Sequence, residues 1–413
     1  VILADAALGS LAGVDRDSLA SLRRSPGYTR FWCAATLARL ANEMAAVGVV
    51  LYVLDRTGSA AWAGATLAAL TLPSIASGPL LGAWLDRGGR RVEAIRADQA
   101  VSVAMLAAIA LAAGDAPDFL LPLAALPAGI TFPLSTGGFS SLIPSYVAPA
   151  LRVQANALEA SSYNVGIVAG PALAGVLVTA VDPLAAVLAQ LGLKLAALGL
   201  ALTLPRAHDL PSRPDLSVMR VTADGFRRLV ASRPLLAATV SGSVALAGRG
   251  LLALAFPFFA VEELGEPRGF SGWLWAAFAV GSLLGAVGPL GIQARRRPHE
   301  IVIWAAGASG MVMLLWPLAS APLLALALIA LGGFVYGPGL VATFSVRQEE
   351  APAELQTQVF MTGSGMKTAA FALGAAASGP LVTEAGAAET MLLAAAIHLV
   401  AAGAGAAIAR DPR

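Results

Sequence analysis

Charge, cysteine and histidine are what this sequence has least of, and each shortage excludes something. Of 413 residues, 13% are Asp, Glu, Lys or Arg and 57% are hydrophobic. A soluble globular chain is about a quarter charged and less than half apolar. The lone cysteine, Cys33, excludes a disulfide within the chain. His208, His299 and His398 lie far apart, so neither a metal cluster nor a CxxC site is expected. No Asn-x-Ser/Thr sequon occurs. Lys and Arg total 27 against 25 Asp and Glu, which leaves no basic surface for nucleic acid. The run "ARRRP" at 294–298 reads as a loop anchor. "GSGMKT" at 363–368 lacks the Gly-x-x-x-x-Gly-Lys-Ser/Thr frame of a phosphate loop and would need a strand before it. No cofactor and no enzyme chemistry is expected.

What the sequence has instead is apolar blocks of 20 or more residues, long enough to cross a bilayer as helices. Backbone groups in hydrocarbon must satisfy one another, and the blocks are unbroken rather than alternating, which selects helices over barrel strands. Twelve spans are predicted, at 31–54, 62–84, 92–113, 119–143, 155–181, 183–204, 235–260, 270–293, 300–319, 322–346, 355–383 and 389–409. Four regions follow: an N-terminal segment 1–30, a six-helix bundle 31–204, a Pro- and Arg-rich linker 205–234 and a second bundle 235–409. The stretch to about Thr29 lacks the charged-then-apolar order of a cleaved signal peptide, so span one is expected to serve as an uncleaved signal.

The basic residues orient the spans. With the N-terminus inside, the cytoplasmic segments hold Arg23, Arg24, Arg30, Arg87, Arg90, Arg91, Arg152, the linker arginines, Arg295 to Arg297, Arg347, Arg410 and Arg413. The outer loops hold only Arg56 and Arg268 beside acids such as Asp115, Asp182, Glu262 and Glu384. Both termini are therefore expected in the cytoplasm, with the chain in the cell's inner (plasma) membrane.

The halves also resemble each other. "GIVAGPALAG" (Gly166 to Gly175) on span five matches "AAASGPLVTE" (Ala375 to Glu384) on span eleven. "GPLLGAWLDRGGRR" after span two matches "GPLGIQARRRP" after span eight, and "LPAGITFP" on span four matches "LGGFVYGP" on span ten. Three matches six spans apart argue for duplication, an architecture in which transporters place their site between the repeats.

The most specific local signal is "GAWLDRGGRR" (Gly82 to Arg91). Gly82 would let helices approach closely. Asp86 would pair with arginine or cap a helix N-terminus, and Arg87, Arg90 and Arg91 would face the anionic leaflet. A generic basic loop would explain the arginines but not the spacing. The stretch resembles the signature loop between helices two and three of the major facilitator superfamily, matched at Gly82, Asp86, Arg87, Gly89, Arg90 and Arg91. The resemblance implies a gating loop that latches the halves. "GIVAGPALAG" resembles that family's antiporter motif, matched at Gly166, Gly170, Pro171 and Gly175. With "QANALEASSYNV" and "DRTGSAAWAG", it is similar to the drug- and siderophore-efflux branch that includes enterobactin exporters. Span four lacks the embedded arginine usual there, and the loop after span eight lacks the aspartate. The fold class implied is an all-α membrane protein, twelve transmembrane helices in two pseudo-symmetric six-helix bundles.

Charges inside spans mark the candidate site. Arg39 and Glu43 lie on span one, Asp98 on span three, Lys194 on span six, Arg249 on span seven and Lys367 on span eleven. A charge at mid-bilayer costs roughly 2.5–3.5 kcal/mol on the lenient scale, so such residues normally face protein or a wet cavity. Arg39 and Glu43, four apart, share a helical face and are expected to pair, for packing or for transport. Aligning "DRTG" with "EELG" puts Arg249 opposite Asn42. Arg39, Lys194, Arg249 and Lys367 outnumber Glu43. An anionic substrate, deprotonated lysines, or carboxylates lying deeper than counted, such as Asp98 or Glu159, would relieve the excess. Glu43 and Asp98 are the candidates for proton coupling. Arg39, Asn42, Lys194, Arg249, Lys367, Tyr163, Asn164 and Tyr336 are the candidates for substrate binding. Gly363, Lys367 and Gly374 fall on one small-residue face that packs against helices or lines a cavity. His398 reads as a packing residue.

The expected function is proton-coupled export of a small anionic or zwitterionic organic molecule, drug- or siderophore-like, by a monomer among membrane lipids. Proton-coupled anion import and lipid or lysolipid translocation are the alternatives. A non-transporting sensor or scaffold, with its core charges locked in pairs, is a remoter one.

Overall fold

Unbroken apolar blocks leave the backbone no partner but itself, and every regular element among the described residues is a helix. The computed structural model describes residues 16–86, 90–205, 218–287, 296–351 and 356–410. Among these, nine helices are long and apolar enough to cross a membrane, and a bent pair counted as one span makes ten. Span one is the bent pair, Tyr28–Met44 with Gly48–Thr57; Ala60–Gly82, Arg91–Ala112, Leu120–Gly138 and Pro183–Leu202 are spans two, three, four and six. Arg233–Glu262, Arg268–Ala286, Pro298–Leu318, Pro322–Arg347 and Ala387–Arg410 are spans seven to ten and twelve. Spans five and eleven are Arg152–Ala180 and Gln356–Ala385, 29 and 30 residues, each opening in a polar turn.

Local chemistry sets the boundaries. Ser59, Asp182 and Ser232 accept hydrogen bonds from backbone N–H groups three residues on and so cap spans two, six and seven. The turns aligned above, "DRTG" and "EELG", both end in a glycine at φ 66°, Gly58 and Gly265. A left-handed residue there stops spans one and seven in the same way, as the duplication requires.

The pairing of helices repeats as well. Span one packs on five and six, two on four, and three on four and six; span seven packs on eleven and twelve, eight on ten, and nine on ten and twelve. The bundles meet where span five packs on eight and span two on eleven. The pattern is two six-helix bundles related by a pseudo-two-fold. At the end remote from both termini the backbones nearly touch: a β-carbon on Gly175 would lie 2.7 Å from the Cα of Gly272, and one on Gly64 would lie 2.7 Å from the carbonyl oxygen of Ala375. Only residues without side-chain bulk permit that approach.

Three features are local departures. Span one bends by 40° at Ala45–Val47, where Ala45 and Val47 bond carbonyls three residues back. Span four turns π-helical at Leu134–Gly138, directly after Pro133. Within the expected linker, Val218–Ala231 is helical, and Arg228 donates to the Glu350 carbonyl at 2.5 and 3.0 Å.

Candidate functional site

Span one carries its charges on the face pressed against span five. Arg39 is 2% exposed, and its guanidinium bonds Glu159 and Ser162 of span five. Ser140 Oγ and the Thr136 carbonyl of span four each lie 3.5 Å from Nη2, and the Tyr163 ring lies 3.8 Å from Cζ. Ser140 also donates to Glu159 at 2.8 Å. The expected Arg39–Glu43 pair does not form. Glu43 does share Arg39's face, but its methylenes fill the groove left by two glycines: a β-carbon on Gly170 would lie 2.7 Å from Glu43 Cβ, and one on Gly166 3.4 Å from Cγ. Its carboxylate has no hydrogen-bond or ion-pair partner among the described residues. Asn42 Nδ2, beside it at the bend, is buried without a hydrogen-bond partner among them.

Asp98 and Lys194, 1% and 3% exposed, form a second buried cluster. The Ser135 hydroxyl donates to Asp98, Gln99 Nε2 donates to Asp98 at 2.7 Å and to Ser135 at 3.0 Å, and Lys194 Nζ reaches Ser135 at 3.5 Å. Ser135 sits in the π-helical stretch, so this stretch links the Asp98 cluster to Thr136 and Ser140 beside Arg39. Lys194, expected as a substrate contact, lies inside the first bundle with Asp98 as its counter-charge.

The second bundle is different. Arg249 lies over the rings of Tyr336 at 4.0 Å and Phe278 at 5.1 Å. Lys367 donates to Thr343 at 3.2 Å and Arg347 to Ser364 at 3.1 Å, across spans ten and eleven. The two buried acids among the described residues, Asp98 and Glu159, both belong to the first bundle. Arg249 and Lys367 thus face rings and a hydroxyl among the described residues, where Arg39 and Lys194 of the first bundle have carboxylates beside them. Gly363 and Gly374 pack inside the second bundle, against Arg347 and Ala247.

The remaining candidates divide. Gly166, Gly170, Pro171 and Gly175 form a seam: the first two seat span one, and Pro171 and Gly175 meet Gly272 of span eight. Around Gly82 a β-carbon would meet nothing within 4 Å among the described residues, and none of these makes the close approach expected there. Arg90 is exposed, and Arg91 donates to the Ser141 carbonyl at 3.2 Å. Arg87 and Gly89 lie outside the described residues, as do the side chains of Asp86 and Asn164. His398 is buried, its Nδ1 2.8 Å from the Ala394 carbonyl. Among the described residues no group of three His, Cys, Asp or Glu could hold a metal.

Two residues sit deeper than the expected span boundaries place them. Glu159, named above only as one carboxylate that could relieve the excess charge, is about two turns inside span five, which starts at Arg152 rather than 155. Arg347 falls just past the expected end of span ten at 346, but the helix runs to Glu350, and Arg347 is 4% exposed. The "SVRQEE" continuation, with no Gly or Pro to stop a helix, was the available signal.

Residues 31–379 match the model of the Major Facilitator Superfamily. The chain is 32% identical to an uncharacterized MFS-type transporter, y4rN, of Sinorhizobium fredii, over 89% of this chain and 91% of that one. It is 28% identical to the multidrug efflux pump Tap of Mycolicibacterium fortuitum, over 87% and 90%, and 30% identical to Tap of Mycobacterium tuberculosis, over 89% and 90%. Solved structures with this fold include the nucleoside transporter NupG (TM-score 0.75, 13% identity, 92% of this chain and 99% of that one). Another is a bacterial homologue of the human lysosomal transporter Spinster, inward-facing and occupied (TM-score 0.69, 17% identity, 92% and 98%).

Proposed function

The chain belongs to the Major Facilitator Superfamily, and we propose that it exports a small organic anion or zwitterion in exchange for protons, by alternating access. It is a multi-pass membrane transporter and not an enzyme. The observation that carries the substrate class is the charge imbalance between bundles: Arg39 and Lys194 have carboxylates beside them, whereas Arg249 lies over rings and Lys367 against a hydroxyl, in a bundle with no described buried acid. Arginine cannot shed its proton, so an anionic group from the substrate is the natural complement of Arg249.

Export is supported by the relatives named as efflux pumps and by the Gly166–Gly175 seam. Proton coupling is supported by Glu43, a partnerless carboxylate at the bend of span one, where a broken helix typically marks a transport site. With the basic loops inside an inner membrane, the tight end of the molecule faces out and the substrate is admitted from the cytoplasm. Counterflow in proteoliposomes, with anionic, zwitterionic and cationic organic probes in parallel, tests the reading. Exchange confined to anions and zwitterions and driven by a pH gradient is expected; exchange of cations alone would overturn it.

A further inference from the structure

We infer that the π-helical turn of span four couples the two buried acid–base clusters of the first bundle, with Ser135 as its positioning residue. Loosening the Asp98–Lys194 cluster loosens the Arg39–Glu159 cluster, and the reverse. The coupling holds for any substrate and for either direction of transport.

Ser135 Oγ is the centre of the first cluster. It donates to Asp98 and accepts from Gln99 Nε2 at 3.0 Å and from Lys194 Nζ at 3.5 Å, which uses its one donor and both lone pairs. Span six brings Lys194 to Asp98, and span four brings no charged side chain between Leu120 and Gly138. The next residue, Thr136, belongs to the second cluster. Its carbonyl lies 3.5 Å from Arg39 Nη2, and Ser140, one turn on, donates to Glu159 at 2.8 Å. The clusters are therefore one peptide bond apart on span four. Each carboxylate keeps one oxygen, Asp98 Oδ1 or Glu159 Oε2, without a partner among the described residues. Neither cluster can lose its bonds through span four without a cost.

Both sets of bonds need the π turn. Phe139 N–H donates to the Leu134 carbonyl five residues back, and Ser141 N–H returns to four, bonding the Gly137 carbonyl at 2.9 Å. An α-helix would point Ser135 and Ser140, five residues apart, about 140° away from each other. The wider π turn brings them nearer to one side, where the stretch packs on spans one and three. The sequence favours the slip: Pro133 withholds an N–H at its start, and Gly137 and Gly138 give the backbone freedom to absorb it. Once the Ser135 bonds are lost, the turn is free to rewind to α, which swings Ser140 and the Thr136 carbonyl away from Glu159 and Arg39. The turn is thus one element with two arrangements, and both clusters favour the same one. A change of charge on spans three and six is carried in this way to span one, which bends, and to span five, which forms the seam with span eight.

The test is a mutant cycle on the full chain in phosphatidylcholine nanodiscs, read as apparent Tm. One arm neutralises the first cluster with Asp98→Asn/Lys194→Met, another the second with Arg39→Met/Glu159→Met, and a third combines all four changes. The combined fall in Tm should be clearly smaller than the sum of the two, because the turn is released only once. With Ser135→Ala added throughout, the falls should add. Falls that already add in the parent chain would overturn the coupling, and a shortfall that persists with Ser135→Ala would overturn the role of Ser135. Hydrogen exchange decides the matter if the combined variant does not fold, since it needs one small change. Ser135→Ala should speed exchange of the backbone amides at 156–163 of span five several-fold, although no described residue of that segment bonds Ser135. The surface change Arg410→Gln should leave them as they are. Unchanged exchange at 156–163 in Ser135→Ala would sink the inference.

Discussion

Arg39 of span one is ion-paired with Glu159 of span five, although Glu43 stands one turn along its own helix. The pair joins the helix that bends to the helix that touches the opposite bundle. Burial makes the loss of either member costly, because the other charge is left in low dielectric.

Glu159→Gln or Arg39→Met alone should therefore destabilise the protein by about 3–5 kcal/mol, read as a clear fall in apparent Tm of the purified chain. The double change to Met at both positions should recover much of it. Additive losses would mean that the pair contributes little and that packing around each residue dominates.

Glu43→Gln should abolish transport driven by a pH gradient while leaving substrate binding intact, since no described residue depends on its charge. Flux assays at imposed gradients, set beside equilibrium binding, measure the two separately. Undiminished coupling would remove Glu43 from the mechanism and leave Asp98 as the carboxylate to examine.

Lys194→Met should destabilise more than the double change Asp98→Asn/Lys194→Met, because the single change strands a buried carboxylate. If Lys194 instead contacts substrate, the double variant will fold well and still lose binding. Thermal unfolding together with a binding isotherm separates these outcomes.

Gly175→Val should force spans five and eight apart at the end remote from the termini. A reporter cysteine at Ala60, 5% exposed, in a chain whose Cys33 has been replaced, should then react faster with an aqueous maleimide, and counterflow should slow. An unchanged labelling rate would mean that this seam does not hold the molecule shut.

Much of this was legible in the sequence because it depends on nearest neighbours in the chain. Apolar runs, the basic loops and the matching turns "DRTG" and "EELG" each act within a few residues. The choice of Glu159 over Glu43 was not legible, since helical spacing says which residues share a face and not which helix covers it. The bend of span one was hidden for the same reason. It contains no proline, and at Gly48 a β-carbon would collide with the Gln190 side chain of span six, a neighbour fixed by the fold. Gly82 shows the converse: glycine permits close approach, but no second helix among the described residues turns permission into contact there.

Lys194 and Lys367 are also the only lysines in the sequence, every other basic side chain that is always charged being arginine. One is sealed among spans three, four and six, and the other is seated between spans ten and eleven. Every loop is in consequence blank to acylating reagents. Apart from the α-amine, covalent chemistry aimed at amines reports on these two helix-borne sites alone, so the lag of the sealed Lys194 behind the half-buried Lys367 is a clock for how often the first bundle opens.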